Sequence, residues 1–279
     1  MKFIQLLTFL GLFAASAAFA GQFDKLEEFY VYPFVESHTW KEFDSGAQLL
    51  RESGPLFGVG TAAKFAIYRK SLLMKTKVEL FGGLIDYNGQ TTDINPALSG
   101  LPVKTDVTYF GLKLENDIGW RFRLGKASVE PFAGIGYRWW LRDLHDSSTV
   151  ASSGNAVKVR GTTEEWQTLY TRLGMHADCD IGKDFRIFAE GGAKYPFLNR
   201  NTADIASDGT VTVHPGQEWS AFAELGIRYK WLRPSFFYEG FRFSQSSTVL
   251  TTVNSQPVGM FQPKTKADIF GVNLGILFR

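Results

Sequence analysis

Trp219-Ser-Ala-Phe-Ala-Glu-Leu-Gly-Ile-Arg-Tyr-Lys-Trp231 is the stretch whose reading decides the fold. At period two, one face carries Trp219, Ala221, Ala223, Leu225, Ile227, Tyr229 and Trp231. The other carries Ser220, Phe222, Glu224, Gly226, Arg228 and Lys230. The first face is apolar and ends in an indole at each side, while the second holds the charges. Twelve residue steps of about 3.3 Å, tilted by roughly 40–45°, rise roughly 28–30 Å. That matches an apolar band bounded by aromatic girdles, with lipid on one side of the strand and a polar lumen on the other.

Working outward, nine further segments alternate in the same way: 28–37, 56–68, 73–86, 106–121, 127–142, 165–178, 184–196, 234–246 and 265–279. Short connections at 69–71, 123–126, 181–183 and 232–234 alternate with long ones at 38–55, 87–105, 143–164, 197–217 and 247–264. The long ones are rich in Ser, Thr, Asn, Asp, Gly and Pro, as loops are. A soluble sandwich would also have many short strands, but nothing in it requires strict alternation of connection length. The expectation is an all-β fold: one ten-stranded antiparallel transmembrane β-barrel, an up-and-down meander with both termini on the short-turn side.

Charges sort by parity. Lys75 and Glu79, Lys113 and Glu115, Glu130 and Arg138, Arg172, Arg186, Glu190 and Lys194, and Glu224 and Arg228 all share the inward parity of their strands. A charge on the lipid face near midplane would cost about 2–4 kcal/mol for Arg or Lys. These twelve residues are expected to form a lumen charge network, and Trp120, Trp139, Trp166, Tyr195, Trp219 and Trp231 the aromatic girdle. Segment 234–246 fits worst, because Glu239 and Arg242 have opposite parity; a bulge or a shifted register is expected there.

Residues 1–20 read as a secretory signal peptide, with Lys2 as the n-region, Phe3 to Ala15 as the apolar run and Ala18-Phe19-Ala20 as the cleavage site. The barrel domain is expected over 21–279, exported to the bacterial outer membrane. Beyond the signal no run of about 18 apolar residues occurs, so a transmembrane helix is not expected. A formal net charge of +2 argues against nucleic acid as a partner. The lone Cys179 can form no intramolecular disulfide.

The strand endings Gly134-Ile-Gly-Tyr-Arg, Gly191-Gly-Ala-Lys-Tyr and Leu225-Gly-Ile-Arg-Tyr resemble those of the outer-membrane β-barrel domain family of Gram-negative bacteria. The resemblance covers the whole mature chain and implies a fold and an address more than an activity. The last strand, with Phe270, Val272, Leu274, Ile276 and Phe278 on one face, is similar to the C-terminal signal of such proteins, although Arg279 follows the aromatic. It implies recognition by the barrel-assembly machinery; outer-membrane lipids and lipopolysaccharide are the other expected partners, together with an extracellular ligand reached through the loops.

By size the chain also resembles the omptins, ten-stranded rim proteases that use an Asp pair and an Asp/His pair. Asp143-Leu-His145-Asp146 and Asp86 are the nearest candidates, and a His beside a carboxylate can act as a general base. The omptin spacing is absent. His176 points into the lumen without a Ser partner, and neither metal-ligand spacing nor a phosphate cradle is found. No catalytic residue, metal or cofactor is therefore expected. The reading is a non-enzymatic barrel with an envelope or surface-contact role carried by long loops. A narrow pore for small solutes or ions is the alternative, and a rim protease or lipid A-modifying enzyme the second alternative.

Overall fold

In the computed structural model the chain is described over residues 25–92, 95–151, 153–204, 209–253 and 256–278. The signal peptide read at 1–20, and Arg279, lie outside the described residues. In chain order the strands are β1 (Lys25–Asp44), β2 (Ala47–Tyr68), β3 (Leu72–Gln90), β4 (Pro102–Trp120), a short β5 (Phe122–Leu124) and β6 (Ala127–Leu144). The small hairpin β7 (Ser147–Val150) and β8 (Ala156–Val159) precedes β9 (Thr163–Asp180), β10 (Phe185–Asp204), β11 (Thr210–Val213), β12 (Ser220–Tyr229) and β13 (Leu232–Phe243). A second hairpin, β14 (Val249–Val253) and β15 (Gln256–Met260), leads into β16 (Lys264–Phe278).

Ten of these are staves of a closed wall, running β1, β2, β3, β4, β6, β9, β10, β12, β13, β16, each antiparallel to its neighbours. Closure comes from β16 pairing back onto β1, from Phe29 opposite Phe278 to Phe43 opposite Lys264. A closed ring leaves no edge strand whose backbone groups would face hydrocarbon unpaired. The expected ten-stranded antiparallel meander is the observed fold.

The wall has two tiers with opposite polarity. Toward the short-turn end the outer face exposes Val59, Leu80, Ile118, Leu173, Leu225, Phe236, Val272 and Leu274, while charges point inward. Toward the long-loop end the parity of the chemistry inverts. Trp40, Tyr87, Val107, Tyr109, Trp140, Trp166 and Phe243 are buried inside. Lys41, Arg51, Asp86, Asn88, Lys104 and Asp106 occupy the outer face. A strand that leaves the apolar band meets water outside, so its greasy side chains gain by turning inward.

That inversion corrects several expectations. Residues 38–55 are not a loop: β1 runs on to Asp44 and β2 starts at Ala47, joined at Ser45 and Gly46, both at positive φ (49° and 86°). The other long connections contain structure too. A single 3-10 turn (Pro96–Leu98) lies between β3 and β4, β11 folds back on the tip of β10, and β7–β8 and β14–β15 form their own hairpins. The turn expected at 232–234 lies instead at Lys230 and Trp231, with Lys230 at φ 53°. Segment 234–246 has neither bulge nor slip: β13 pairs with β16 in one register from Leu232 opposite Ile276 to Phe243 opposite Thr265. Glu239 faces the lumen, and Arg242 faces out above the apolar band, bonded to Asp268.

Candidate functional site

The lumen is the site. At its short-turn mouth, Lys64 pairs with Glu130 at 2.7 Å and Arg121 with Glu27 at 2.6 Å. Arg233 meets Glu224 at 2.8 Å and lies 3.7 Å over the Phe188 ring. Arg186 bonds Asp180 at 2.6 Å, and Arg228 comes within 3.9 Å of Glu28. His176 sits between Glu190 at 3.4 Å and Asp178 at 3.8 Å. A cavity of about 40 Å³ remains among these side chains, room for about three waters.

Deeper in, ion pairs span the cylinder. Lys113 on β4 reaches Glu239 on β13 at 2.9 Å, and those strands stand five apart in the ring of ten. Glu239 also takes Lys194 at 2.6 Å and Arg138 at 3.5 Å, so three cations share one carboxylate. Glu79 is shared by Lys113, Lys77 at 2.8 Å and the Tyr32 hydroxyl at 2.8 Å. Arg172 bonds Glu115 and lies 3.2 Å from Glu190 and 3.3 Å from Asp117, while Lys75 reaches Glu190 at 2.6 Å. The cations also lie on rings: Arg138 is 4.4 Å from the Phe81 centroid and Arg172 4.4 Å from that of Phe222. Desolvated charges survive here because each has a counter-charge within reach, although Glu36 Oε1, Asp117 Oδ1 and Arg172 Nε have no hydrogen-bond partner among the described residues.

Glycine makes room for these rings. Tyr32 lies across Gly60 and Tyr170 across Gly136, so closely that a Cβ at either glycine would occupy the ring's space. Tyr170 then donates to Glu115 at 2.8 Å.

Above this network is an aromatic layer. Trp140 and Trp166 stack with centroids 5.4 Å apart at 8°, and Trp40 meets Trp166 edge-on at 5.0 Å. Phe243 packs 5.6 Å from Trp166. The indole nitrogens donate to Glu42 at 2.9 Å from Trp40 and to Glu164 at 2.8 Å from Trp166. Arg142 crosses the layer, bonding Glu52 from the β2 wall and Glu164 at 2.6 Å.

The twelve charged residues singled out from the sequence all point inward. Lys75, Glu130, Arg186, Glu190, Glu224 and Arg228 stand at or beside the mouth and the other six deeper in the lumen. Among the girdle residues, Trp120, Trp219 and Trp231 are exposed on the outer face. Trp139 and Tyr195 are half-buried there, in contact with Phe110 at 6.1 Å and Trp219 at 5.0 Å. Trp166 is a correction: it is fully buried in the lumen, because it shares parity with Thr168, Tyr170 and Arg172. Sequence reading missed Glu239, Glu36, Glu42, Glu52, Arg142 and Arg233. The parity of Glu239 with Phe237, Phe241 and Phe243 was the signal for the first, that of Glu36 with Tyr32 and Phe34 and of Arg142 with Glu130 and Arg138 the signal for those two; Glu42 and Glu52 lie in the presumed loop and Arg233 in the presumed turn.

The rim candidates do not assemble as an acid–base pair. His145 Nε2 lies 2.9 Å from Thr108 Oγ1 on the outer face, and Asp143 accepts from Thr163 at 2.6 Å. Among the described residues His145 makes no ion pair with a carboxylate, and no three His, Cys, Asp or Glu residues are placed to hold a metal.

An even, closed antiparallel ring with an apolar outer belt and a charged interior defines a bacterial outer-membrane β-barrel. Residues 75–239 match the model of the autotransporter β-domain family, and the chain belongs to that family. No curated protein matches the sequence. Among solved structures, the outer-membrane protease OmpT of Escherichia coli is similar with a TM-score of 0.58 at 8% identity, covering 91% of this chain and 98% of that one. The translocator domain of the autotransporter NalP from Neisseria meningitidis gives 0.41 at 10% identity over 99% and 98% of the two chains. An outer-membrane channel from Pseudomonas putida F1 gives 0.40 at 8% over 91% and 96%. At such identities the OmpT likeness speaks to fold alone. In barrels of this class the short turns are periplasmic and the long loops extracellular.

Proposed function

We infer that this protein is a non-conducting, non-enzymatic outer-membrane barrel whose role lies in envelope integrity and surface contact, carried by its extracellular tier. The observation that supports this most is the bridge from Lys113 to Glu239 between diametrically opposed walls, under the Trp40, Trp140 and Trp166 layer. Side chains meeting from opposite sides narrow the lumen at that level and put charged groups across it. The extracellular tier, by contrast, is built outward: β7–β8, β11 and β14–β15 enlarge the surface beyond what the barrel needs.

A pore, or a translocator role such as the one named for the Neisseria domain, requires the lumen to open. The pairs around Glu239 and the aromatic layer would both have to part. Purified protein in planar lipid bilayers is expected to show no steady conductance steps. Reproducible steps in the unaltered protein, abolished by Arg138→Ala or Arg228→Ala, would overturn this reading in favour of a channel. Cleavage of a peptide panel or a change in lipid A, lost in His145→Ala, would favour an enzyme.

A further inference from the structure

On the outer face, just above the apolar band, four cations stand side by side on four adjacent strands. Arg242 on β13 is directly opposite Lys266 on β16, Lys266 is opposite Lys41 on β1, and Lys41 is opposite Arg51 on β2. Like charges directly opposite one another in a sheet repel, and nothing in the barrel's closure requires them there. Only Arg242 has a carboxylate of its own, Asp268, which also accepts from Tyr238 at 2.9 Å. Among the described residues, Lys41, Arg51 and Lys266 make no ion pair; Lys266 lies 5.4 Å over the Phe43 ring.

Their height is informative. Each cation sits two or three outward-facing positions above a large apolar side chain of the band, Tyr238, Phe270, Val35 and Phe57 in turn, while Phe43, higher on β1, packs against Lys266. That is headgroup depth, where anionic lipid phosphates stand and a basic row gains most from them. The sector that begins at the next strand is mostly acidic, with Asp86 on β3 directly opposite Asp106 on β4 and with Asp143 and Glu165 on the strands beyond. Lys104 also faces out among these carboxylates, opposite Asn88, so it is the unbroken row of cations that is confined to β13, β16, β1 and β2.

We propose that Arg242, Lys266, Lys41 and Arg51 form a binding row for the phosphorylated headgroup of an outer-leaflet glycolipid, the lipid A portion of lipopolysaccharide. The guanidinium ends give bidentate contacts to phosphate and the lysines between them act as point charges. The acyl chains of the same lipid would lie on the exposed Phe270, Val272 and Phe57 below.

The test is co-elution of purified lipopolysaccharide with the full detergent-solubilised chain on gel filtration. The unaltered protein is expected to retain lipopolysaccharide and to lose most of it when the lipid is enzymatically dephosphorylated. Combined Lys41→Gln, Arg51→Gln and Lys266→Gln is expected to weaken retention about a hundredfold, with the heat-dependent gel shift of the folded barrel unchanged. Asp86→Asn with Asp106→Asn, on the acidic sector, is expected to leave it unaltered. Equal retention by the triple variant, equal retention of dephosphorylated lipid, or displacement by millimolar inorganic phosphate would each overturn the proposal. Should the triple variant lose its gel shift, the dephosphorylated arm on unaltered protein decides alone.

Discussion

The membrane tier and the extracellular tier use the same strands with opposite chemistry. In β16, Val272, Leu274 and Ile276 face out below, while Lys266 faces out above. In β6, Arg138 is inward at mid-lumen and Trp140 inward one pleat higher. Strand geometry does not change between the two; only the outer solvent does. The lower tier is held by ion pairs inside and lipid outside, and the upper one by an aromatic core inside and water outside. The comparison teaches that inside and outside in a barrel are set by the medium at each height, and that a side chain's face cannot be read without its depth.

The contrast can be broken most forcefully at Glu239. Replacing it with Ala leaves Lys113, Lys194 and Arg138 without their shared carboxylate, and should cost about 3–5 kcal/mol in urea unfolding from lipid vesicles. A neutral result would mean that the lower lumen is hydrated rather than plugged by ion pairs. Trp166→Ala removes the centre of the upper core and should cost a similar amount, about 3–5 kcal/mol by the same assay. That loss should be insensitive to salt, since packing rather than charge is removed.

A smaller effect sharpens the comparison on the outer face. Leu225→Arg places a cation within the apolar band and should destabilise by about 2–4 kcal/mol. Ser53→Arg, also outward but above the band, should stay within about 0.5 kcal/mol of the unaltered protein. Equal costs at the two sites would remove the distinction between tiers. Gly136→Val tests the close seat of Tyr170 and should cost about 1–3 kcal/mol through overpacking.

How much of this was legible follows from the same inversion. In 73–86, 106–121, 127–142, 184–196 and 218–231 the alternation lies within the band, and parity alone places Lys75, Lys113, Arg138, Glu190 and Glu224 inside. Residues 38–55 read as a loop because their outward positions, Thr39, Lys41, Arg51 and Ser53, are polar, which a lipid-facing template rejects. Trp166 was misplaced for the opposite reason. An indole near a strand end suggests a girdle, and that residue type outweighed the even parity it shares with Arg172. Glu239 was hidden because Arg242, outward but above the band, made its strand look irregular. Pairings across the lumen, such as Lys113 with Glu239, could not be read from one sequence, since they depend on how ten strands close.

The central claim, that one wall changes its outer solvent part-way up, is tested most directly by cysteine scanning of β16 in a Cys179→Ser background. Single cysteines at Phe270, Val272, Leu274, Ile276 and Lys266, each carrying a fluorophore, would be read in vesicles of brominated-chain lipid. Strong quenching is expected at the first four, and at Lys266 little quenching with full access to a water-soluble thiol reagent. Uniform quenching along the strand, or aqueous access at Val272 and Leu274, would contradict the account.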